Sequence, residues 1–323
     1  MKEKVKTIQK RIKQLAKDDS EVPVRSFFTQ FAELSNKEYV QEILAKILEK
    51  RPDVTGEHLA YLLYIALQYL TEFDYDQPVE KNKLEKDLKK YSDKIIELCQ
   101  TKNISTNVIE RYALLQVIIS MLDKPVVVID VGTSIGLGLM ALNTDSFSHI
   151  DIDKELLPYV QQKVEITEAI GIDMQKPDLK WQLACCFPDK KEDRPVLKKT
   201  YEKLKKEGTK IKFIQGSALE LDRLNLPKAD IVWTSNFFYE IEGDINKVIN
   251  DIKNLLNEKG IWIDADFRHS DKQFATKDNP YLAKVRRKED WDTTLEVLES
   301  SIDWVRDLKP GKDFKKFKGI LKK

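Results

Sequence analysis

Cysteine and histidine are scarce in this sequence, with three of each among 323 residues. The cysteines are Cys99, Cys185 and Cys186, and an odd number with two adjacent members forms neither a disulfide framework nor a zinc-binding pattern. No histidine is spaced as a metal ligand with a second histidine or with a cysteine. We therefore expect no metal site, and a reducing cytoplasm fits this composition best.

Long apolar runs and an excess of one charge are also lacking. No apolar run approaches the ~20 residues that span a bilayer, and the basic N-terminus lacks the apolar core of a secretory signal. The 55 lysines and arginines nearly balance 54 acidic residues, so a net charge of +1 creates no global field toward nucleic acid or membrane. These absences predict a cytoplasmic protein without a membrane partner.

The first hundred residues show helical periodicity and no strand pattern. An apolar stripe at helical spacing near the N-terminus consists of Val5, Ile8, Ile12 and Leu15. With lysines on the other face, it predicts a solvated amphipathic helix or, alternatively, a basic arm for an anionic partner. Residues 58–73 are apolar nearly all round, as in a buried helix. We predict an all-helical domain or cap over residues 1–100.

From Lys124 onward, short runs rich in valine and isoleucine alternate with helical patterns. These runs are PVVVIDVG, EAIGIDM, IKFIQGSAL, ADIVWTSN and GIWIDADF. Continuous apolar strands separated by helices indicate a mainly parallel sheet covered on both faces. We predict a Rossmann-like, doubly wound α/β domain over residues 101–323, which starts with a linking helix at 101–123. Residues 271–323 should hold a final helix, WDTTLEVLESSIDWV, and an edge strand, FKKFKGILKK.

A glycine-rich turn directly follows the first of these strands. Asp130, Gly132, Ser134 and Gly136 form the pattern D-x-G-x-S-x-G, with Thr133 inside it. A glycine permits a sharp turn with positive φ and lets a ligand lie against bare backbone. The amides at the start of the next helix would complete such a site.

Two classes of ligand suit a turn of this kind. A dinucleotide site has the pattern G-x-G-x-x-G and an acid about 20 residues further on. A site for S-adenosyl-L-methionine has an acid two residues before the first glycine, which is the place of Asp130. The spacing favours S-adenosyl-L-methionine, although Ser134 stands where the usual acid-x-Gly-x-Gly-x-Gly pattern has its middle glycine.

A carboxylate at the end of the second strand should hold the ribose, because its two oxygens can accept both hydroxyls. HIDID places Asp151 and Asp153 at the customary distance from the glycines, whereas GIDM places Asp173 later. Spacing alone favours Asp153.

Several blocks occur in order between residues 101 and 242. They are STNVIER with Thr106, Asn107 and Arg111, then DVGTSIGL, IGIDM with KPDLKWQL, CCFPDKKEDR with Pro188 and Arg194, and IQGSALE. Together they resemble a prokaryotic family known only as a domain of unknown function, with a helical N-terminal part and a class I methyltransferase-like C-terminal part. Its Gln-Thr-Asn-Glu, Glu-x-Gly-x-Ser-x-Gly and Trp-Pro blocks are matched in part, since Ser105, Val108 and Phe187 replace its Gln, Glu and Trp. The resemblance implies that residues 147–166 are an insertion and that Asp173 is the ribose ligand.

Three further residues are predicted to contact the cofactor. Ser217 and Ala218 end the third strand, where a hydroxyl or an amide can bind the adenine edge, although Ser217 could equally cap the next helix. Arg111 precedes the first strand, and its guanidinium suits the methionyl carboxylate, with a surface ion pair as the alternative.

The stretch SNFFYE ends the fourth strand, where an acceptor would meet the cofactor. Asn236 and Tyr239 have the spacing of the Asn-Pro-Pro-Tyr motif of amino-group methyltransferases, in which Asn holds the amine and the aromatic ring covers it. Asn236 would also contact the cofactor. Phenylalanines replace both prolines, so an aromatic wall is the alternative. His269 could be a general base or an ordinary loop histidine, and the Asn-Pro-Tyr sequence at Asn279 is assigned to a loop.

The leading hypothesis is a methyltransferase that uses S-adenosyl-L-methionine and acts on a small-molecule acceptor. The alternatives are an inactive protein that binds or senses the cofactor, and a methyltransferase that modifies nucleic acid through its basic ends. A nicotinamide oxidoreductase would need a hydride partner, and the sequence offers none that we could identify.

Overall fold

The computed structural model describes residues 2–106, 108–241, 243–269, 276–302 and 305–322. The helices are α1 (Lys2–Asp18), α2 (Val22–Leu34), α3 (Glu38–Lys50), α4 (Gly56–Leu70), α5 (Lys81–Thr101), α6 (Tyr112–Leu122), α7 (Leu137–Ala141), α8 (Leu157–Gln161), α9 (Leu179–Ala184), α10 (Asp193–Glu207), α11 (Ile245–Leu255) and α12 (Phe314–Leu321). The strands are β1 (Val126–Val131), β2 (Asp151–Ile152), β3 (Ile166–Asp173), β4 (Lys212–Gln215), β5 (Ala229–Ser235), β6 (Leu256–Phe267), β7 (Tyr281–Arg287), β8 (Asp290–Ser300) and β9 (Asp307–Pro310). Among the residues described, no helix has the length and apolar character needed to cross a membrane.

The chain forms two compact units. The helical unit consists of Met1–Asn107 and Asp178–Lys199, and the sheet unit consists of Val108–Pro177 and Thr200–Lys323. The sequence analysis placed the whole of residues 101–323 in the second domain, so the segment 178–199 is the main difference. Its apolar side chains explain the difference, because Trp181 is buried in the helical unit and donates from Nε1 to the Asn103 carbonyl at 2.8 Å.

The helical unit is built from amphipathic helices that share one core. The predicted apolar stripe of α1 is buried, while five of its lysines are exposed, namely Lys4, Lys6, Lys10, Lys13 and Lys17. Helix α4 has buried residues on nearly every side, as its sequence predicts, and the Thr55 side chain caps its start by accepting from the His58 amide at 3.1 Å. Burial of apolar surface, rather than intrinsic helix propensity, stabilises such an arrangement.

The sheet unit has nine strands in the order β2-β9-β8-β7-β6-β5-β1-β3-β4. Five adjacent strands are parallel to one another, in the order β4, β3, β1, β5 and β6. The next three pairs, β6 with β7, β7 with β8 and β8 with β9, are antiparallel. The predicted Rossmann-like, doubly wound fold preceded by helices is confirmed. Strand β3 lies beside β1, whereas the short strand β2 pairs with β9.

Two predictions for the C-terminal region are wrong. The segment predicted as a final helix contains strand β8, whose pairing with β7 and β9 outweighs an apolar spacing that would also suit a helix. The predicted edge strand is helix α12, because Phe314 and Phe317 are three residues apart on one helical face and both are buried. Within this region residues 271–275, 303–304 and 323 lie outside the described residues.

Candidate active site

Five parallel strands end along one edge of the sheet, and the candidate site lies there. Strand β1 has β3 on one side and β5 on the other, because the chain builds β3 and β4 on one side of β1 and then crosses back to β5 on the other side. In open α/β sheets such a switch point opens a crevice at the carboxyl ends of the strands. The turn after β1, Asp173 at the end of β3 and Asn236 just after β5 therefore lie at the edge where ligands bind in this fold class.

The turn after β1 has the backbone that its glycines predict. Gly132 has φ +87°, Gly136 has φ +75° and Ser134 lies between them at φ +55°, so all three occupy the left-handed region. The turn also satisfies several of its own amides. Gly132 and Thr133 donate to the Ile172 carbonyl at 2.9 and 3.1 Å, and Gly136 donates to the Thr133 carbonyl at 2.9 Å. These three turn amides therefore bind protein, and the amides at the start of α7 are a separate set.

Protein side chains fill the space beside both turn glycines. A Cβ at Gly132 would lie 2.7 Å from Cδ2 of Phe237, and a Cβ at Gly136 would overlap Cδ1 of Ile211. The sequence analysis gave the glycines two purposes, a sharp turn and bare backbone for a ligand, and the neighbouring side chains add a third reason for small residues here. Close packing of Phe237 and Ile211 requires glycine at these positions, so a ligand on the turn would meet the phenyl ring as well as the backbone.

Asp173 lies directly beside the turn. Its Oδ2 accepts from the Ser134 amide at 2.8 Å, and its Oδ1 accepts from the Gln175 amide at 3.2 Å. The exposed Asp153 follows β2, at the opposite end of the sheet from β3 and six strands away from β1, and its Oδ1 caps the Glu155 amide at 2.8 Å. Of the two acids, the structure places Asp173 at the turn.

Asp130 is buried beneath the turn, with 1% of its surface exposed. Tyr112 donates its hydroxyl to Oδ2 of Asp130 at 2.7 Å, and the Tyr112 ring packs on Gly138 so closely that a Cβ there would overlap it. Burial raises the pKa of the Asp130 carboxyl to about 6, against the lowering effects of the Tyr112 hydrogen bond and the Arg111 charge. Tyr112 escaped the sequence analysis, and its position at the start of an apolar helix was the only signal.

This raised pKa predicts a pH-dependent stability. The folded protein keeps a proton on Asp130 between about pH 4 and about pH 6, where the unfolded chain has released it, so the free energy of unfolding falls as pH rises through this range. Above it, the buried carboxylate costs on the order of 3 kcal/mol, at about 1.4 kcal/mol for each pKa unit. Asp130→Asn keeps an acceptor oxygen for Tyr112 but cannot ionise. Its stability relative to wild type should rise by about 2–3 kcal/mol between about pH 4 and about pH 7.

Urea denaturation at several pH values measures this difference, and the exposed Asp153→Asn serves as the control. A constant difference between wild type and Asp130→Asn across the pH range would contradict the assigned pKa.

Arg111 is buried and is held by hydrogen bonds to Val108 and Tyr281. Its Nε donates to the Val108 carbonyl at 3.2 Å, and its guanidinium also donates to Tyr281. The Tyr281 hydroxyl donates to the Ala265 carbonyl at 2.9 Å and lies 2.8 Å from Oγ of Ser235. Arg111 is therefore not a surface residue, which excludes the surface ion pair as its role. Tyr281 belongs to the Asn-Pro-Tyr sequence that we assigned to a loop, but it is the first residue of β7.

Asn236 and Tyr239 differ in exposure. Asn236 has φ +47°, and its amide donates to the Ala265 carbonyl at 2.9 Å. Its side-chain Oδ1 is buried and has no hydrogen-bond partner among the described residues. Tyr239 lies in a short 3-10 turn at Phe238–Glu240 and is 50% exposed. Of the two predicted acceptor residues, only Asn236 has a buried polar atom available to a ligand.

The remaining predicted residues have simple surroundings. Oγ of Ser217 accepts from the Leu219 amide at 3.2 Å, which is the capping role considered above, and Ala218 is buried. His269 is exposed, and its amide donates to Oδ1 of Asn279 at 2.7 Å. Asn107 lies outside the described residues. The residues described contain no group of three or more His, Cys, Asp or Glu side chains that could hold a metal ion.

No protein-family model matches this chain, and no curated protein matches it. Solved methyltransferase structures are similar at low identity. The N-methyltransferase NodS from Bradyrhizobium japonicum WM9 is 14% identical, with a TM-score of 0.28 over 50% of this chain and 69% of that one. A 1,6-didemethyltoxoflavin-N1-methyltransferase from Burkholderia thailandensis, solved with its substrate and S-adenosylhomocysteine, is 13% identical with a TM-score of 0.27 over 56% of this chain and 57% of that one. Magnesium protoporphyrin IX methyltransferase from Synechocystis PCC 6803 is 14% identical with a TM-score of 0.26, over 55% and 68%. The matches span 57% to 69% of the length of these three chains.

Proposed function

We propose that this protein is a methyltransferase that uses S-adenosyl-L-methionine and acts on a small-molecule acceptor. The observation that carries the proposal is the position of the Asp173 carboxylate. It lies at the carboxyl end of β3, beside the left-handed turn of β1 and at the switch point of the sheet. A carboxylate in this position suits two neighbouring ribose hydroxyls, because each oxygen can accept one of them.

The polar groups along this edge suit the other parts of the cofactor. Gly216, Ser217 and Ala218 follow β4, and the Gly216 amide donates to the Asp173 carbonyl at 2.9 Å, so their backbone lies next to the ribose position and would bind adenine. The buried Arg111 would hold the methionyl carboxylate, since a guanidinium binds carboxylate through paired donors. When bound, the cofactor supplies an electrophilic methyl group on its sulfonium.

The protein's own residues then have to position and shield the acceptor. Asn236 offers its buried Oδ1 as a hydrogen-bond acceptor just after β5. The Phe237 ring lies on Gly132 and packs edge-on to Phe238 at 5.2 Å, which makes this side of the crevice apolar. Alignment and exclusion of water provide much of the rate enhancement in a transfer of this kind.

Binding of S-adenosylhomocysteine tests the proposal directly. We expect Asp173→Ala to weaken binding by about 100-fold, because two charge-assisted hydrogen bonds are lost at about 1.5 kcal/mol each. Asp153→Ala should bind like wild type, since its side chain is exposed and lies beyond β9. Isothermal titration calorimetry measures both, and thermal unfolding checks that Asp173→Ala keeps its fold.

The two acids give opposite outcomes. Loss of binding in Asp153→Ala alone would reverse the assignment of the ribose ligand. No binding of S-adenosylhomocysteine to the wild type at millimolar concentration would overturn the proposed function itself.

A further inference from the structure

Asp266 lies beside Asn236 at the carboxyl edge of the sheet. Ser235 and Ala265 are register partners in the parallel strands β5 and β6, and the Asn236 amide donates to the Ala265 carbonyl at 2.9 Å. The next residue of each strand is therefore Asn236 on one side and Asp266 on the other. Both residues are only partly buried.

Each of the two side chains presents an acceptor oxygen. Asn236 presents a buried Oδ1 with no partner among the described residues, and Asp266 presents a carboxylate whose Oδ1 accepts only from the Phe267 amide, at 2.7 Å, among the hydrogen bonds found. Two neighbouring acceptors suit a ligand group with more than one N–H donor. A primary amine has this character, whereas an ether or a carboxylate does not.

We propose that Asp266 is the base that takes a proton from an amine acceptor, which Asn236 holds through Oδ1. This inference rests on the proposed function. An ammonium group cannot attack, because its nitrogen has no lone pair. One N–H bond of the ammonium breaks and its proton moves to the Asp266 carboxylate, which leaves the lone pair on nitrogen. A new N–C bond then forms as the bond from sulfur to the methyl carbon breaks, and the sulfur keeps that electron pair in S-adenosylhomocysteine.

The charges around Asp266 agree with this role. Burial raises the pKa of its carboxyl, while Lys284 on β7 and Arg111 lower it. Asp264 on the same strand and Tyr281 on β7 also interact with the carboxylate. The net rise makes Asp266 a stronger base than an exposed aspartate, which is what proton removal from an ammonium requires.

Asp264 provides a matched control. It lies two residues before Asp266 on the same face of β6, and burial raises the pKa of its carboxyl to about 6. The Thr234 hydroxyl donates to Oδ1 of Asp264 at 3.0 Å. The same hydroxyl oxygen of Thr234 accepts from Nε1 of Trp262 at 3.0 Å. Asp264 is therefore held within the sheet unit by Thr234 rather than placed beside Asn236.

The test uses the full-length protein saturated with S-adenosylhomocysteine, and butylammonium as the probe. Carbon-13 NMR follows the aspartate carboxyls, and the signal that disappears in Asp266→Asn identifies Asp266. We expect this signal to titrate above the ordinary aspartate range, and butylammonium to lower its midpoint while butanol leaves it unchanged. Butylammonium should bind at least 10-fold more weakly to Asp266→Asn than to wild type, and equally to Asp264→Asn and wild type.

Transfer of labelled methyl groups from S-adenosyl-L-methionine to butylamine gives a second readout. The rate constant kcat should fall by about 100-fold or more in Asp266→Asn, and the acidic limb of its pH profile should disappear. Equal butylammonium binding in wild type and Asp266→Asn, or an unchanged kcat, would overturn the inference. If the wild type does not bind S-adenosylhomocysteine at all, the proposed function itself is overturned. Failure of the inference about Asp266 can therefore be told apart from failure of the proposed function.

Discussion

Arg194→Met is expected to lower the free energy of unfolding of the helical unit by about 3–5 kcal/mol. The Arg194 side chain is buried and forms a two-point ion pair with Asp76, in which Nη2 lies 2.9 Å from Oδ1. It also donates to the Cys186 carbonyl at 2.6 Å and to the Leu183 carbonyl at 3.0 Å, and its guanidinium lies 4.2 Å from the centre of the Phe73 ring. Methionine keeps the apolar volume but leaves the Asp76 charge unpaired, with the Gln68 amide at 2.7 Å as its remaining donor, and it removes one donor from each of the two carbonyls.

Denaturation by urea measures the change, and hydrogen exchange locates it. Amides of α4 and α9 should exchange faster in Arg194→Met, while those of β1 and β5 should not change. The exposed pair of Lys81 and Glu33 supplies the control, and Lys81→Met should cost less than about 1 kcal/mol. Adding Asp76→Leu to Arg194→Met should recover part of the loss, because it removes the uncompensated charge. A loss below 1 kcal/mol in Arg194→Met would contradict the assigned role.

The same arginine shows what sequence reasoning can and cannot reach. Arg194 stands out in the sequence only through a resemblance, and its partner Asp76 is 118 residues earlier in the chain. No local pattern links the two positions. Helix α1 was predictable because its own periodicity determines which face is buried, and α4 because it is apolar nearly all round. An ion pair between distant segments depends on the finished packing instead.

Strand β8 illustrates the opposite failure, in which a local pattern misleads. Trp291, Leu295 and Leu298 are spaced as on one face of a helix, and this spacing suggested the wrong element. Antiparallel pairing with β7 on one side and β9 on the other supplies the backbone hydrogen bonds that decide the outcome. Those partners are not visible in a window of fifteen residues.

The candidate site was predictable to the extent that strand order and turn chemistry are local. The turn after β1 and the acids near it follow from short motifs, and the β1–β3 pairing separates Asp173 from Asp153. Tyr112 and Tyr281 were not assigned to the site because each approaches it from another element of the sheet unit, whereas Phe237 was considered as part of an aromatic wall. Side chains that enter a site from another element cannot be predicted from the site's own motif, because their position depends on the three-dimensional packing.

Gly132→Ala is expected to destabilise the sheet unit by about 4 kcal/mol. About 1–2 kcal/mol comes from forcing a residue with a Cβ to φ +87°. A further 1–3 kcal/mol comes from the overlap with the Phe237 ring, whose Cδ2 would lie 2.7 Å from the new Cβ. Both terms belong to the folded state, so the midpoint of urea denaturation should shift while the slope of the transition stays constant.

A double-mutant cycle with Phe237→Ala separates the two causes. In the Phe237→Ala background the ring is gone, so Gly132→Ala should cost only about 2 kcal/mol, which gives a coupling of about 2 kcal/mol between the positions. If the two changes add without coupling, the ring does not determine the need for glycine. If Gly132 were bare only for a ligand, Gly132→Ala would weaken binding of S-adenosylhomocysteine. Its effect on the free energy of unfolding would then be the same with and without the Phe237 ring. The cycle therefore decides whether this glycine serves packing, binding or both, because each role predicts a different pair of stability and affinity changes.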